Sequence, residues 1–255
     1  MGVTDTHSHI YLEAFDADRD DVVARAQSAG VHTILLPNVD ASTIERLHHT
    51  EQQYSCCKAM MGLHPTSVKE NWRDELAIVQ SWLFKRSYCA VGEIGIDLYW
   101  DKTFLTEQID VFEQQIKWAI ELDLPVVIHC REAFAEVFAS LDRCYTPALR
   151  GVFHSFSGGV DELRKIEGYA TFKAGINGVV TFKNSQLPSV ISQFDPSLFV
   201  FETDAPYLAP TPYRGKRNEP AYVTNVADLI AQLYGLSKTQ LNEIIETNVQ
   251  MVFGQ

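Results

Sequence analysis

The feature that most constrains this chain is a rhythm. Short apolar, β-branched runs alternate eight times with segments of helical period. The runs are Val3–His9, Thr33–Pro37, Cys56–Leu63, Cys89–Gly95, Pro125–His129, Gly151–His154, Thr171–Ala174 and Leu198–Glu202. Helices are expected over Phe15–Ala29, Ala41–Gln53, Trp72–Phe84, Phe104–Leu122, Ala133–Asp142, Val160–Glu167, Ala221–Tyr234 and Lys238–Val252, with a weak one within Gln186–Phe194. Strands this uniformly apolar imply a parallel sheet covered on both faces. Eight such units in 255 residues fit an α/β fold, a single (β/α)8 TIM barrel spanning 1–255. A doubly wound open sheet is the alternative, weakened because no Gly-x-Gly-x-x-Gly follows the first strand. No linker, low-complexity tract or repeat divides the chain.

Composition narrows the setting. The chain is 46% hydrophobic, enough for a large core, and its net charge of −12 argues against a surface generally coated with nucleic acid. A local basic patch remains compatible with that charge. The five cysteines, at 56, 57, 89, 130 and 144, form no Cys-x-x-Cys pair and read as free thiols of a reducing compartment. With no charged-then-apolar leader and no long apolar run, a cytoplasmic protein without membrane association or an obligate protein partner is expected. Met1-Gly2-Val3-Thr4-Asp5-Thr6 matches a loose myristoylation pattern, read as chance because the first strand would bury that end.

Chemistry gathers at the strand ends. In a barrel, the C-terminal ends of the strands form one mouth. His7 and His9 close the first strand, Glu93 lies near the end of the fourth, His129 and His154 end the fifth and sixth, and Asp204 follows the eighth. Residues two apart on a strand share a face, with about 7 Å of rise between His7 and His9. A lone histidine at a strand end is usually a hydrogen-bonded loop residue. Repetition changes the balance, because carboxylates are seldom buried unless paired or bound to a metal. A metal site at the mouth is therefore expected. Its imidazoles favour Zn²⁺, Mn²⁺, Fe²⁺ or Co²⁺ over Mg²⁺.

Thr4-Asp5-Thr6-His7-Ser8-His9, Gly62-Leu63-His64-Pro65, Val91-Gly92-Glu93-Ile94-Gly95-Ile96-Asp97, His129-Cys130-Arg131-Glu132-Ala133, His154-Ser155-Phe156-Ser157-Gly158 and Glu202-Thr203-Asp204-Ala205-Pro206 occur in this order. Together they resemble the TatD-type metal-dependent deoxyribonucleases, a family of the wider amidohydrolase barrels, and the likeness runs on through Arg217-Asn218-Glu219-Pro220. The resemblance implies a (β/α)8 barrel and two divalent ions, with His7, His9 and Asp204 on one, His129 and His154 on the other, and Glu93 between them. It points towards Mg²⁺-supported activity, whereas the donor set leaves Mg, Zn and Mn all open. It also implies a DNase, a 3′-to-5′ exonuclease acting on single-stranded DNA or strand ends, with RNA as a further candidate.

Two metals suit phosphodiester hydrolysis by metal-bound hydroxide. Asp204 is the expected general base. Glu202 either fixes a ligand or forms a core ion pair, and Asp5 is expected to orient an imidazole. Asp97 either binds substrate or caps its loop. His64 would hold a phosphate or protonate the leaving group, unless it is a turn residue. Arg131, Arg214, Lys216 and Arg217 are the expected phosphate-binding cations. Trp100 and Tyr99 are candidates to stack on a base. The remaining tryptophans read as packing, and His32, His48 and His49 as surface residues. The alternatives are the same two-metal barrel acting on a small phosphoester, lactone or amide, and a non-catalytic scaffold.

Overall fold

The alternation becomes eight parallel strands in a computed structural model that describes residues 2–254. Met1 and Gln255, the ends of the expected 1–255 domain, lie outside the described residues, and with Met1 goes the start of the myristoylation pattern. The strands are β1 (Val3–Asp5), β2 (Val31–Leu36), β3 (Cys57–Ala59), β4 (Val91–Asp97), β5 (Val126–Arg131), β6 (Gly151–Phe153), β7 (Phe172–Ile176) and β8 (Phe199–Phe201). The helices are α1 (Arg19–Ser28), α2 (Ile44–Gln53), α3 (Trp72–Leu83), α4 (Leu105–Glu121), α5 (Phe134–Cys144), α6 (Val160–Gly168), α7 (Leu187–Ile191), α8 (Val223–Tyr234) and α9 (Lys238–Phe253).

The ladders run β1-β2-β3 and β4-β5-β6-β7-β8, all parallel. Backbone hydrogen bonds join the two runs at both seams. Cys89 N–H donates to the Ala59 carbonyl at 3.0 Å and Gly92 N–H to Met61 at 3.1 Å. On the other side Thr6 N–H meets the Phe201 carbonyl at 3.0 Å and His9 N–H meets Ala205 at 2.8 Å. The ring therefore closes into the expected barrel.

Side chains fill the barrel. Leu35, Met60, Ala90, Val127, Val152 and Val200 pack with Val249, Val252 and Phe253 of α9 in one cluster. Polar contacts hold α9 against the strand starts. Glu246 accepts from Thr4 N–H at 2.7 Å, and Asn248 Nδ2 donates to the Phe199 carbonyl at 2.7 Å. The N-terminal end of the barrel is thus stoppered, and the opposite end carries the cavity.

The boundaries depart from the sequence reading in instructive ways. β1 ends at Asp5 rather than His9, yet Ser8 still bridges Ala205, so His7 and His9 continue the strand direction without a full ladder. Residues 13–15 form a 3-10 turn and α1 starts only at Arg19. Here Asp16 is held by Arg19 and Arg46, and Asp18 by Arg217, while Phe15 sinks into the core. β3 covers three of the eight expected positions, and residues 60–63 continue as an extended segment bonded to both neighbours. Glu93 lies inside β4 rather than near its end, because that strand runs on to Asp97.

Gly95 is the position where backbone geometry demands glycine. Its φ is +146°, and a Cβ there would fall 1.9 Å from the His129 carbonyl oxygen across the β4–β5 ladder. Gly95→Ala is expected to destabilise the protein by about 3 kcal/mol or more through strain and lost ladder bonds. Gly168→Ala, whose Cβ would meet nothing, should stay within about 1 kcal/mol of the parent. Urea unfolding of the two variants checks the contrast.

Candidate metal centre

Residues on or just after β1, β3, β4, β5, β6 and β8 supply the site. Glu93, buried on β4, stands at the centre. Its Oε2 is 3.1 Å from His7 Nε2 and 3.7 Å from His9 Nε2. Its Oε1 is 2.8 Å from His129 Nδ1, 3.3 Å from His64 Nε2 and 3.7 Å from His154 Nε2. Asp204, in the left-handed region at φ 57°, turns Oδ1 to 3.7 Å from His9, 3.9 Å from His154 and 4.0 Å from His7. One carboxylate thus faces a different set of imidazoles with each oxygen.

The donor set fits a cation. The Nε2 atoms of His7 and His9 approach to 3.2 Å beside carboxylate oxygens. Ligand atoms around a tetrahedral ion with ~2.1 Å bonds are about 3.4 Å apart, and the separations among His7, His9, Glu93 and Asp204 scatter around that value. His7, His9 and Asp204 make one such group. His64, Glu93 and His129 make a second group, with His154 Nε2 3.7 Å from the same Glu93 Oε1.

Hydrogen bonds fix which nitrogen each ring presents. Tyr11 donates its hydroxyl proton to the Pro37 carbonyl at 2.7 Å, so it must accept from His9 Nδ1–H at 2.9 Å. His9 Nε2 is left with a free lone pair. His129 places Nε2 2.8 Å from Asp97 Oδ2, which holds that proton, and Nδ1 2.8 Å from Glu93 Oε1, the side a cation would take. His154 Nδ1 makes an ion-pair contact with Glu202 Oε1 at 3.0 Å, and that oxygen accepts from Ser155 N–H at 2.7 Å. Gly175 leaves Glu202 its place, since a Cβ there would fall 2.3 Å from Oε2. His64 differs. Its Nδ1 accepts from Thr66 N–H at 3.1 Å, so neutral His64 carries its proton on Nε2. In this orientation it is a donor to Glu93, not a metal ligand.

Electrostatics agree with this division. Burial, reinforced by the neighbouring His154, holds His7 well below the usual imidazole range. Burial also takes His9 down to about 4. For His154 burial acts downward, but Glu202, Glu93 and Asp204 lift it to about 10. His129 is raised against its burial by Asp97 and Glu93. For Glu93 burial acts upward, yet His64, His7 and His154 pull it well below the ordinary carboxylate value. Burial pushes Asp204 up to about 7. The protons on His129 and His154 balance charge that bound cations would balance instead.

The cavity above these groups measures about 650 Å³, and Leu12, Val39, His64, Trp100, Arg131, Val179, Asp204, Tyr207 and Leu208 are among its walls. That volume suits a ligand of nucleotide size. Of the four expected phosphate-binding cations only Arg131 borders it. Arg214, Lys216 and Arg217, expected as a phosphate rim, do not line this cavity. Arg217 is bound by Asp18 at 2.8 and 2.6 Å, Arg214 lies 3.6 Å over the Phe182 ring, and Lys216 is exposed.

Asp5 also departs from expectation. It orients no imidazole but accepts from Thr203 N–H at 2.9 Å, Thr203 Oγ1 at 2.6 Å and His7 N–H at 3.4 Å, clamping β1 to the segment that carries Asp204. Burial raises it to about 8. Asp97 caps its loop, through Tyr99 and Trp100 N–H, and also holds His129. The sequence reading missed Tyr11 and Thr66. Both stand two residues after a site histidine, and for Tyr11 the same-face spacing of an extended segment was the available signal.

The family model described as "TatD related DNase" matches residues 4–254. The uncharacterized metal-dependent hydrolase YabD of Bacillus subtilis is 34% identical, over 98% of both chains. The 3′-5′ ssDNA/RNA exonuclease TatD of Cronobacter sakazakii is 30% identical, over 96% of this chain and 95% of its own. The crystal structure of the TatD homolog YjjV of Escherichia coli superposes with a TM-score of 0.93 at 28% identity, covering 99% of this chain and 98% of that one.

Tyr11→Phe and Glu202→Gln should each weaken divalent-metal binding by about tenfold or more, since each removes a partner that fixes a ligand ring. Competition with a chromophoric chelator reads this directly, and affinities equal to the parent would refute the supporting roles.

Proposed function

We propose, for a chain that belongs to the TatD-related DNase family of metal-dependent hydrolases acting on ester bonds, that it removes nucleotides from the 3′ ends of single-stranded DNA, with RNA as a second substrate. The observation that carries the reading is Glu93, whose two oxygens face two sets of imidazoles and so suit a carboxylate shared between two cations. His7, His9 and Asp204 would hold one ion, and His129 with His154 the other; Mg, Zn and Mn are the candidates. When bound, such a pair lowers the pKa of water and neutralises charge on phosphoryl oxygens.

The chain's own residues supply the rest. Asp204, whose Oδ1 lies 3.7 Å from His9 Nε2 at the floor of the cavity, is placed to accept the proton of an attacking water. His64 aims Nε2–H towards Glu93 with its other nitrogen held by Thr66, which suits it to donate to a phosphate or to the leaving oxygen. Arg131 offers a planar cation at the wall for a neighbouring phosphate. The cavity ends on a packed barrel core, so a strand end enters it more readily than a stacked duplex does. The exonuclease name of the Cronobacter relative supports the polarity and the substrate.

A second reading, a small phosphoester, lactone or amide as substrate, draws on the scarcity of cations at the mouth. Oligonucleotides labelled at either end, with each metal supplied in turn, separate the two. Loss of 3′-terminal nucleotides is expected, and the absence of metal-dependent cleavage would refute the nuclease reading. His129→Ala should lower turnover by at least about a hundredfold and reduce bound metal in elemental analysis.

A further inference from the structure

We propose that Trp100 is the stacking platform for an unpaired nucleobase of the substrate, its backbone anchored beside His129 by Asp97. The inference rests on the nuclease reading and adds the part of the substrate that is read outside the polar floor of the cavity.

Trp100 follows β4 and is 69% exposed, the highest value for a large hydrophobic side chain among the described residues, yet it borders the cavity. A lone exposed tryptophan would carry no meaning. This one is held. Asp97 Oδ1 accepts from Trp100 N–H at 3.1 Å and from Tyr99 N–H at 3.0 Å, while its Oδ2 stands 2.8 Å from His129 Nε2. A single buried carboxylate therefore joins the aromatic loop to a ring of the metal centre.

The indole is also backed from within the loop. Tyr99 meets it edge-on at 4.9 Å and 87°, and the Arg131 guanidinium lies 3.8 Å over the Tyr99 ring and 5.4 Å from that of Trp100. The result is a broad apolar face beside a cation, the pairing a nucleotide presents in reverse as base and phosphate. Across the ring of strands, Tyr207 follows β8, four strands from β4, and is itself 54% exposed at the cavity. Aromatic stacking tolerates any base but requires that its face be uncovered. The platform therefore selects for unpaired ends rather than for sequence.

The test compares a single-stranded hexanucleotide with the same hexamer carrying an abasic residue at the cleaved end. Trp100→Ala should raise KM for the normal hexamer about tenfold or more and leave its kcat within about twofold. KM for the abasic hexamer should not move. Trp100→Phe should recover most of the loss, and Met251→Ala, which removes a 59% exposed side chain from α9, should change neither. Independently of turnover, the normal hexamer should quench indole emission of the metal-free protein, the abasic hexamer should not, and Trp100→Phe should abolish the difference. Cleavage of both hexamers with a KM indifferent to the terminal base and to Trp100→Ala would overturn the platform and leave the nuclease reading standing. No cleavage and no quenching would overturn both; quenching without cleavage would support the platform and sink the nuclease reading.

Discussion

The molecule depends on one buried carboxylate. Glu93 sits among His7, His9, His64, His129 and His154, with 2.8–3.7 Å from its oxygens to their nitrogens. A carboxylate so placed cannot remain charged without positive partners. The surrounding imidazoles supply them as protons, or release them to cations. The barrel is the device that makes this crowding possible, since it brings rings from β1, β5 and β6 to one level without any long-range flexibility.

Around that centre a second layer of acids and hydroxyls decides what each ring can do. Tyr11 behind His9 and Asp97 behind His129 each occupy one nitrogen, Glu202 stands 3.0 Å from Nδ1 of His154, and the other nitrogen of each ring turns towards Glu93 or Asp204. Thr66 does the reverse for His64, and so converts a potential ligand into a proton donor. Identical side chains acquire different chemistry because the partner on the far nitrogen differs.

Most of the fold was legible because parallel strands buried on both faces write unbroken apolar runs, and eight of them limit the topology to few choices. That His7, His9, Glu93, His129, His154 and Asp204 would meet was legible because the C-terminal ends of the strands share a level. What escaped depends on contacts between distant segments. Nothing local marks Asp18 as the partner of Arg217, so three cations in four positions read as a phosphate rim although none of them lines the cavity. Asp5 looked like a ring-orienting acid because it stands two before His7, yet Thr203, 198 positions later, claims both its oxygens. The start of α1 was misplaced for a similar reason, since Phe15 is apolar and helix-compatible but serves the core from a 3-10 turn.

The stopper formed by α9 has a kinetic meaning. Val249, Val252 and Phe253 pack among the inward side chains of the strands, so among the described residues that end of the barrel is filled. Under the nuclease reading proposed above, substrate and product would share the one mouth, and each released nucleotide would leave by the route the strand occupies.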